Sequence, residues 1–379
     1  MRVLIVSGIW PPDVGGPASH APDVAAFLRS RGHHVEVVVT AAETPAPRSY
    51  PVRFTSRALP VGVRHLHGLL LIARRSLRAD VIYTTGMFGR SGLAAMATGT
   101  PIVVKLTGDP AFERLRSRGV VAGDVESFQA GGGGGGGLSA RALRKLRDLV
   151  LRRAAHVYTP SAYLRDLVVD WGVAPERVTV LPNPTPEELP VTPREDLRRR
   201  FGFQQPTLVF AGRLTAQKSL ETLLDAIAGC EDVHLVIAGD GDERATLEAG
   251  IDHRSLGDRV QLLGAQPRAT VLELFAAADA AVLSSSWENF PHSVVEALAV
   301  GTPVIATAVG GVPEVVRDRE NGLLVPGGDA PALASAIRRF LAEPELQRRL
   351  RAGAAPSVER YRPDELLAGL ERTLEDAAA

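Results

Sequence analysis

The sequence contains a single cysteine, Cys230, in 379 residues, so no disulfide can form within the chain. No apolar run approaches the ~18 residues that a membrane-spanning helix requires. The apolar stretch near the N-terminus, residues 3–6, is too short for a secretory signal. Together these absences point to a cytoplasmic protein. Charge of one sign is not in excess either, because 43 Lys and Arg balance 43 Asp and Glu. That balance argues against a strongly basic nucleic-acid-binding protein. The dinucleotide fingerprint G-x-G-x-x-G is missing after any strand-like run. Its spacing occurs only inside the seven glycines 131–137, so a dehydrogenase is disfavoured.

What is present is ordinary globular material, 45% hydrophobic and 23% charged, enough for two or three domains. The neutral total hides an asymmetry. Up to Pro182 there are 23 Lys and Arg against 13 Asp and Glu, and beyond it 20 against 30. The two halves therefore offer different surfaces.

Short apolar runs alternate with helical periodicity throughout, which predicts an α/β chain with parallel sheets. Strand-like runs fall at 3–6, 35–40, 81–84, 102–106, 157–159 and 178–181. A helix is expected over 18–31, with basic helices over 60–78 and 141–153. The glycine run between 131 and 137 reads as a loop. Pro182, Pro184, Pro186, Pro190 and Pro193 form the clearest linker. After it the pattern restarts, with strands expected at 207–210, 235–238, 260–263, 281–283 and 304–306. The helices of this half are expected over 220–227, 271–277 and 293–298. Two doubly wound domains, 1–183 and 190–362, would place ligands at the carboxyl ends of their strands, facing a central cleft.

Several segments could carry chemistry. Gly15 and Gly16 follow the first strand and precede a helix, where bare amides suit a phosphate or simply make a tight turn. Arg213 and Lys218 flank the end of the 207–210 strand and could grip one anion, or stand as two solvated cations. Glu288 and Glu296 are separated by seven residues. Between them the helix start near Pro291, His292 and Ser293 offers N–H donors to a phosphate. A carboxylate at Glu296 could accept both hydroxyls of a ribose. Asp240-Gly-Asp242 could hold a metal, but reads better as a turn.

Taken in order, these pieces resemble one family, the retaining GT-B glycosyltransferases of family 4 (glycosyl transferases group 1). The resemblance rests on Gly15-Gly16, Gly212-Arg-Leu with Lys218, Gly239-Asp-Gly, Glu288 with Glu296, Gly310-Gly-Val-Pro-Glu314 and Asn321-Gly-Leu-Leu-Val325. It implies two Rossmann-like domains, with a nucleotide-diphosphate sugar donor bound mainly by the second. The last helix, 363–379, would pack back on the first domain. It further implies that Arg213 and Lys218 grip the donor diphosphate and that Glu296 binds the ribose. Glu288 would lie beside the donor sugar, with Asn289, Phe290, Pro291, His292 and Ser293 around its hydroxyls and phosphate. Gly15 and Gly16 would admit the diphosphate from the other domain.

The chain departs from the family at three places, one of them the linker, with Asn183-Pro184 where members often have Asn-Gly. It has Asn289 where many members have glycine. It also lacks the histidine that many carry after a first-domain strand, reading Val104-Lys-Leu-Thr-Gly-Asp-Pro110 there. Asp109, ahead of Lys105, is the candidate for that place near the reacting sugar, or is an Asp-Pro turn; His20 reads as structural. Asn183 stands at the linker, where a hinge is expected.

The expected reaction is sugar transfer with retained configuration to an acceptor hydroxyl, without metal or other cofactor. The acceptor would be a glycan, a lipid-linked intermediate or a small metabolite. The two basic helices make an anionic membrane surface a further candidate partner, with a peripheral position at the inner membrane face. A sugar-nucleotide epimerase and a non-catalytic nucleotide-sugar binding protein are the alternatives.

Overall fold

The computed structural model describes residues 1–11, 16–116, 118–121, 125–130 and 137–379. It divides into two compact units, one of Met1–Asn183 with Asp364–Ala379 and one of Pro184–Pro363.

The first unit is built on β1 (Arg2–Ser7), β2 (His34–Ala41), β3 (Val52–Ser56), β4 (Val81–Thr84), β5 (Ile102–Lys105), β6 (His156–Thr159) and β7 (Val178–Val180). These pair in parallel in the order β3-β2-β1-β4-β5-β6-β7. The central strands are apolar on both faces because both are covered. One face packs Ile5, Val37, Tyr83 and Val103 under helices Gly16–Ser30 and Pro363–Ala378. The other packs Leu4, Val38, Ile82 and Val104 against Ile72, Ala94 and Leu151. Strand β3 was not expected from the sequence. It lies at the sheet edge and is only partly buried, so polar Arg53, Thr55 and Ser56 break up its apolar signal.

The second unit contains β8 (Thr207–Ala211), β9 (His234–Ala238), β10 (Val260–Gly264), β11 (Ala280–Leu283), β12 (Val304–Thr307) and β13 (Gly322–Val325). They form a parallel sheet in the order β10-β9-β8-β11-β12-β13. The chain winds outward in one direction from β8 and in the other from β11. The strand order therefore reverses between these two, and the crevice at that reversal is where ligands sit in such sheets. The same reversal occurs between β1 and β4 in the first unit.

The final helix, Pro363–Ala378, belongs to the first unit and buries Leu367, Leu370 and Leu374 there. Its Glu371 accepts hydrogen bonds from His33 at 2.8 Å and Arg31 at 3.2 Å. Burial raises the Glu371 carboxyl, and the two donors outweigh it and hold it below the ordinary range. No helix among the described residues is long and apolar enough to cross a membrane.

Candidate functional site

Three of the residues singled out in the second half, Arg213, Lys218 and Glu288, follow the carboxyl ends of β8 and β11. Strand β8 ends at Ala211, and the following turn carries Arg213 and Lys218. Strand β11 ends at Leu283, and the next five residues lead to Glu288. Backbone and side-chain bonds lace the two loops together. Ser286 N donates to Gln217 O at 2.9 Å, Gln217 Nε2 to Trp287 O at 2.7 Å, and Ser284 Oγ to Lys218 O at 2.8 Å. Within this lacing Lys218 Nζ and Ser285 Oγ both donate to Glu288 Oε1, the hydroxyl at 2.8 Å. Glu288 is buried, and a carboxylate in that position is stable only with such donors. An ammonium has three N–H donors, so Lys218 can hold Glu288 and still present donors elsewhere.

The Gly310-Gly311 pair completes the loop from a third strand, β12. Gly311 N donates to Glu288 O at 3.0 Å. Gly310 has φ of +51°, and a Cβ there would stand 1.8 Å from Glu288 O. Only glycine permits this approach, which explains a motif that the sequence showed without giving it a role.

Asn289 and Phe290 are also buried, and Phe290 meets Tyr361 edge to face at 5.7 Å. Pro291 precedes helix His292–Ala299, which takes the chain away from β11. The first amides of a helix have no intrahelical acceptor. Arg213 is exposed and forms no ion pair among the described residues. Glu296, further along the helix, is paired with Arg268 Nε at 2.7 Å. Burial raises its carboxyl, and Arg268 opposes the shift. Arg268, Gln217 and Ser285 were not found from the sequence, since their roles depend on contacts that form only in the fold.

In the first unit the expected residues are more dispersed. Gly15 lies outside the described residues, as do 131–136 of the glycine run, and Gly16 opens helix Gly16–Ser30. His20 Nε2 is bonded to Tyr83 Oη at 2.7 Å, and burial lifts the Tyr83 phenol well above its ordinary range. Asp109 is enclosed. Its Oδ1 accepts from Ala111 N at 2.9 Å, opening helix Pro110–Arg116, and its Oδ2 accepts from Gln129 at 2.6 Å and Arg147 at 2.7 Å. Its carboxylate therefore joins a helix start to a buried ion pair. Lys105 is buried at the end of β5 with no hydrogen-bond acceptor for its Nζ among the described residues, and burial lowers its pKa to about 7. Asp240 and Asp242 are exposed, and Asp240 Oδ1 accepts from Gly241 N at 2.8 Å, as a turn requires.

Comparison with known proteins bears on both units. Residues 193–355 match the family model described as glycosyl transferases group 1, and residues 15–184 match the glycosyl transferase 4-like domain. D-inositol 3-phosphate glycosyltransferase of Xylanimonas cellulosilytica is 29% identical, covering 94% of this chain and 91% of that protein. Sucrose-phosphate synthase from Thermosynechococcus elongatus superposes with a TM-score of 0.81 at 20% identity, over 99% of this chain and 98% of that one. HepE of Anabaena, solved in complex with UDP-glucose, superposes with a TM-score of 0.79 at 21% identity, over 99% of this chain and 100% of that one. The paired parallel sheets are the GT-B architecture, and the chain belongs to the group 1 glycosyltransferases.

Proposed function

We propose that this glycosyltransferase takes its sugar from a nucleotide-diphosphate donor bound at the carboxyl ends of β8 and β11, and transfers it with retained configuration to an acceptor hydroxyl. The observation that carries the reading is the set of groups at the strand reversal. Two cations, Arg213 and Lys218, a buried carboxylate, Glu288, and a helix start at Pro291 to Ser293 all belong to loops that leave adjacent strands. The UDP-glucose complex of HepE supports a nucleotide sugar as the donor class.

In the reaction the bond between the sugar C1 and the phosphate oxygen breaks, and the acceptor oxygen forms a new bond to C1. The acceptor's proton leaves with the diphosphate. Negative charge grows on the diphosphate and positive charge on the sugar. Arg213, Lys218 and the first amides of the helix are suited to the first, because fixed donors stabilise developing charge without reorganising. The Glu288 carboxylate is suited to the second, and Asn289, Phe290, Pro291, His292 and Ser293 shape the space around the sugar. Glu296, oriented by Arg268, is assigned to the ribose hydroxyls. Asp109 is assigned to holding the helix Pro110–Arg116 in place rather than to proton transfer.

A thermal-shift panel of UDP, GDP, ADP and their sugars tests the reading, since a ligand that binds the native state raises its stability. One base series is expected to raise Tm in the wild type and to lose most of that rise in Arg213→Ala. No shift with any nucleotide would overturn the donor assignment.

A further inference from the structure

Three helices of the first unit, Val61–Ser76, Phe88–Thr98 and Leu138–Arg153, cover one face of its sheet. Ile72, Ala94 and Leu151 point inward and share a core with Leu4, Ile82 and Val104. The helices approach one another closely: a Cβ on Gly68 would meet Arg90, and one on Gly92 would meet Val150. Their outward sides therefore make one continuous surface. In Val61–Ser76 the apolar residues outnumber those that the sheet can cover. Ile72 is fully buried, whereas Val63, Leu66 and Leu70 are 53%, 58% and 59% exposed. The exposed positions 63, 66, 67, 70, 74, 77 and 78 follow the spacing of one helical stripe. In Leu138–Arg153 the exposed positions 138, 141, 142, 145, 149, 152 and 153 do the same.

Two kinds of side chain share this surface. Among the described residues, every exposed large hydrophobic except Val120, Leu189 and Val191 belongs to these helices or caps one of them. A single exposed leucine is ordinary, but a row of them marks a surface that meets something less polar than water. The charges are almost all of one sign. Residues 57–79 hold five arginines and no Asp or Glu. Residues 138–153 hold six Lys and Arg and one carboxylate, Asp148, which pairs with Arg147. Arg74, Arg78, Arg141 and Lys145 form no ion pair among the described residues. A nucleic acid would match these cations and leave the leucines in water. A neutral bilayer would match the leucines and leave the cations unused. A protein partner usually anchors on aromatic side chains, and the exposed large hydrophobics here are all aliphatic.

We propose that this outward face of the first unit docks on a bilayer that carries anionic lipid. Val63, Leu66, Leu70 and Leu138 enter the boundary between headgroups and acyl chains. Arg74, Arg78, Arg141 and Lys145 lie against the lipid phosphates, where a basic cluster gains from the negative surface potential. Their long apolar stems let the charged ends stay at headgroup level while the leucines sink. A fluid lipid surface also needs no matching shape, which suits two parallel stripes better than a rigid partner does. The docking goes beyond the donor reading and does not rest on it.

The test is sedimentation of the full chain with vesicles of phosphatidylcholine, alone or with phosphatidylglycerol. The anionic vesicles are expected to bind at least about tenfold more tightly than the neutral ones, with the difference shrinking at high salt. Leu66→Gln with Leu70→Gln removes apolar contact at two exposed positions, and Gln suits a helix. This pair is expected to weaken capture about tenfold or more while keeping its salt dependence. Arg74→Gln with Arg78→Gln is expected to weaken capture about tenfold and to flatten its salt dependence. Arg199→Gln with Arg349→Gln changes two exposed arginines of the second unit and is expected to leave capture unchanged. Thermal unfolding followed by circular dichroism checks that each variant folds. Insertion is read separately. Cys230 is buried, so Leu66→Cys supplies an exposed thiol for an environment-sensitive dye. The dye's emission is expected to move to the blue on anionic vesicles, and to stay unchanged when it is carried by Arg199→Cys. No capture by anionic vesicles, equal capture by neutral ones, or capture that the leucine pair leaves intact overturns the proposal. Capture without a blue shift at position 66 shows a purely electrostatic contact and overturns it too. Retention on heparin without vesicle capture identifies a polyanion as the partner and overturns it likewise.

Discussion

At the scale of single residues, the pair Lys218–Glu288 combines two demands. It neutralises a buried carboxylate, and it keeps a cation beside the place assigned to the donor diphosphate. The two demands separate by mutation. Lys218→Ala leaves Glu288 buried without its main partner, which typically costs about 3–5 kcal/mol for a broken buried pair. On the proposed donor assignment it also removes a donor to developing charge, worth on the order of 10²–10³ in kcat. The double variant Lys218→Met with Glu288→Gln removes both charges. It is expected to recover most of the stability and none of the activity. Recovery of activity alongside stability would mean that the pair is only architectural. Lys105 makes the opposite case, a buried cation with no acceptor among the described residues. Its pKa is lowered to about 7 by burial, while the unfolded side chain titrates near ~10.4. As pH falls from about 10 to about 7, the unfolded state takes up a proton that the folded state refuses, at about 1.4 kcal/mol per unit. The penalty is fully present below about 7 and fades above it. Lys105→Met is thus expected to raise stability in urea unfolding, by more at pH ~7 than at pH ~9. An equal gain at both values would show that the amine is not desolvated.

At the scale of elements, the site depends on loops that leave three strands, β8, β11 and β12, and the backbone contact at Gly310 ties the last two together. Gly310→Ala would put a Cβ 1.8 Å from Glu288 O and also strain a residue at φ +51°. The loop must shift, and a displacement of about 1 Å at a reacting centre can cost on the order of 10²-fold in rate. The expected outcome is a kcat/KM loss of that order with the circular-dichroism spectrum unchanged. Activity close to wild type would show that the loop has slack. The same element scale shows what the sequence could disclose. Central strands such as β1 and β12 are continuous apolar runs because both of their faces are covered, and such runs stand out. Arg213, Lys218 and Glu288 were legible because each follows such a strand by a few residues. Helix Phe88–Thr98 was not expected, for its sequence FGRSGLAAMAT contains two glycines and begins after Met87 in the left-handed region. Helices Arg194–Phe201 and Arg244–His253 are polar over most of their turns, and their stability comes from packing that no local pattern displays. Arg268 beside Glu296, and Gln217 beside Trp287, lie 28 and 70 residues apart. Such contacts follow from the order of strands, and the order is set only when the sheet closes.

At the scale of the whole molecule, the neutral total charge divides along the chain. The residues up to Pro182 carry the surplus of Lys and Arg and those beyond it the surplus of Asp and Glu. A diphosphate is thus assigned to the more acidic part of the chain. Binding there has to come from local groups, Arg213, Lys218 and the helix start, rather than from the net field. If that assignment holds, the donor leaves a local footprint in hydrogen exchange, because protection follows local opening where a ligand binds. Adding UDP-glucose should slow exchange at residues 211–219 and 284–312, the segments that hold Arg213, Lys218, Glu288, the helix start and Glu296. It should slow exchange less at 61–76 and 88–98. The Arg213→Ala variant should lose the footprint. A nucleotide footprint centred on 61–98, or one that Arg213→Ala leaves intact, would place the donor in the basic part and overturn the assignment.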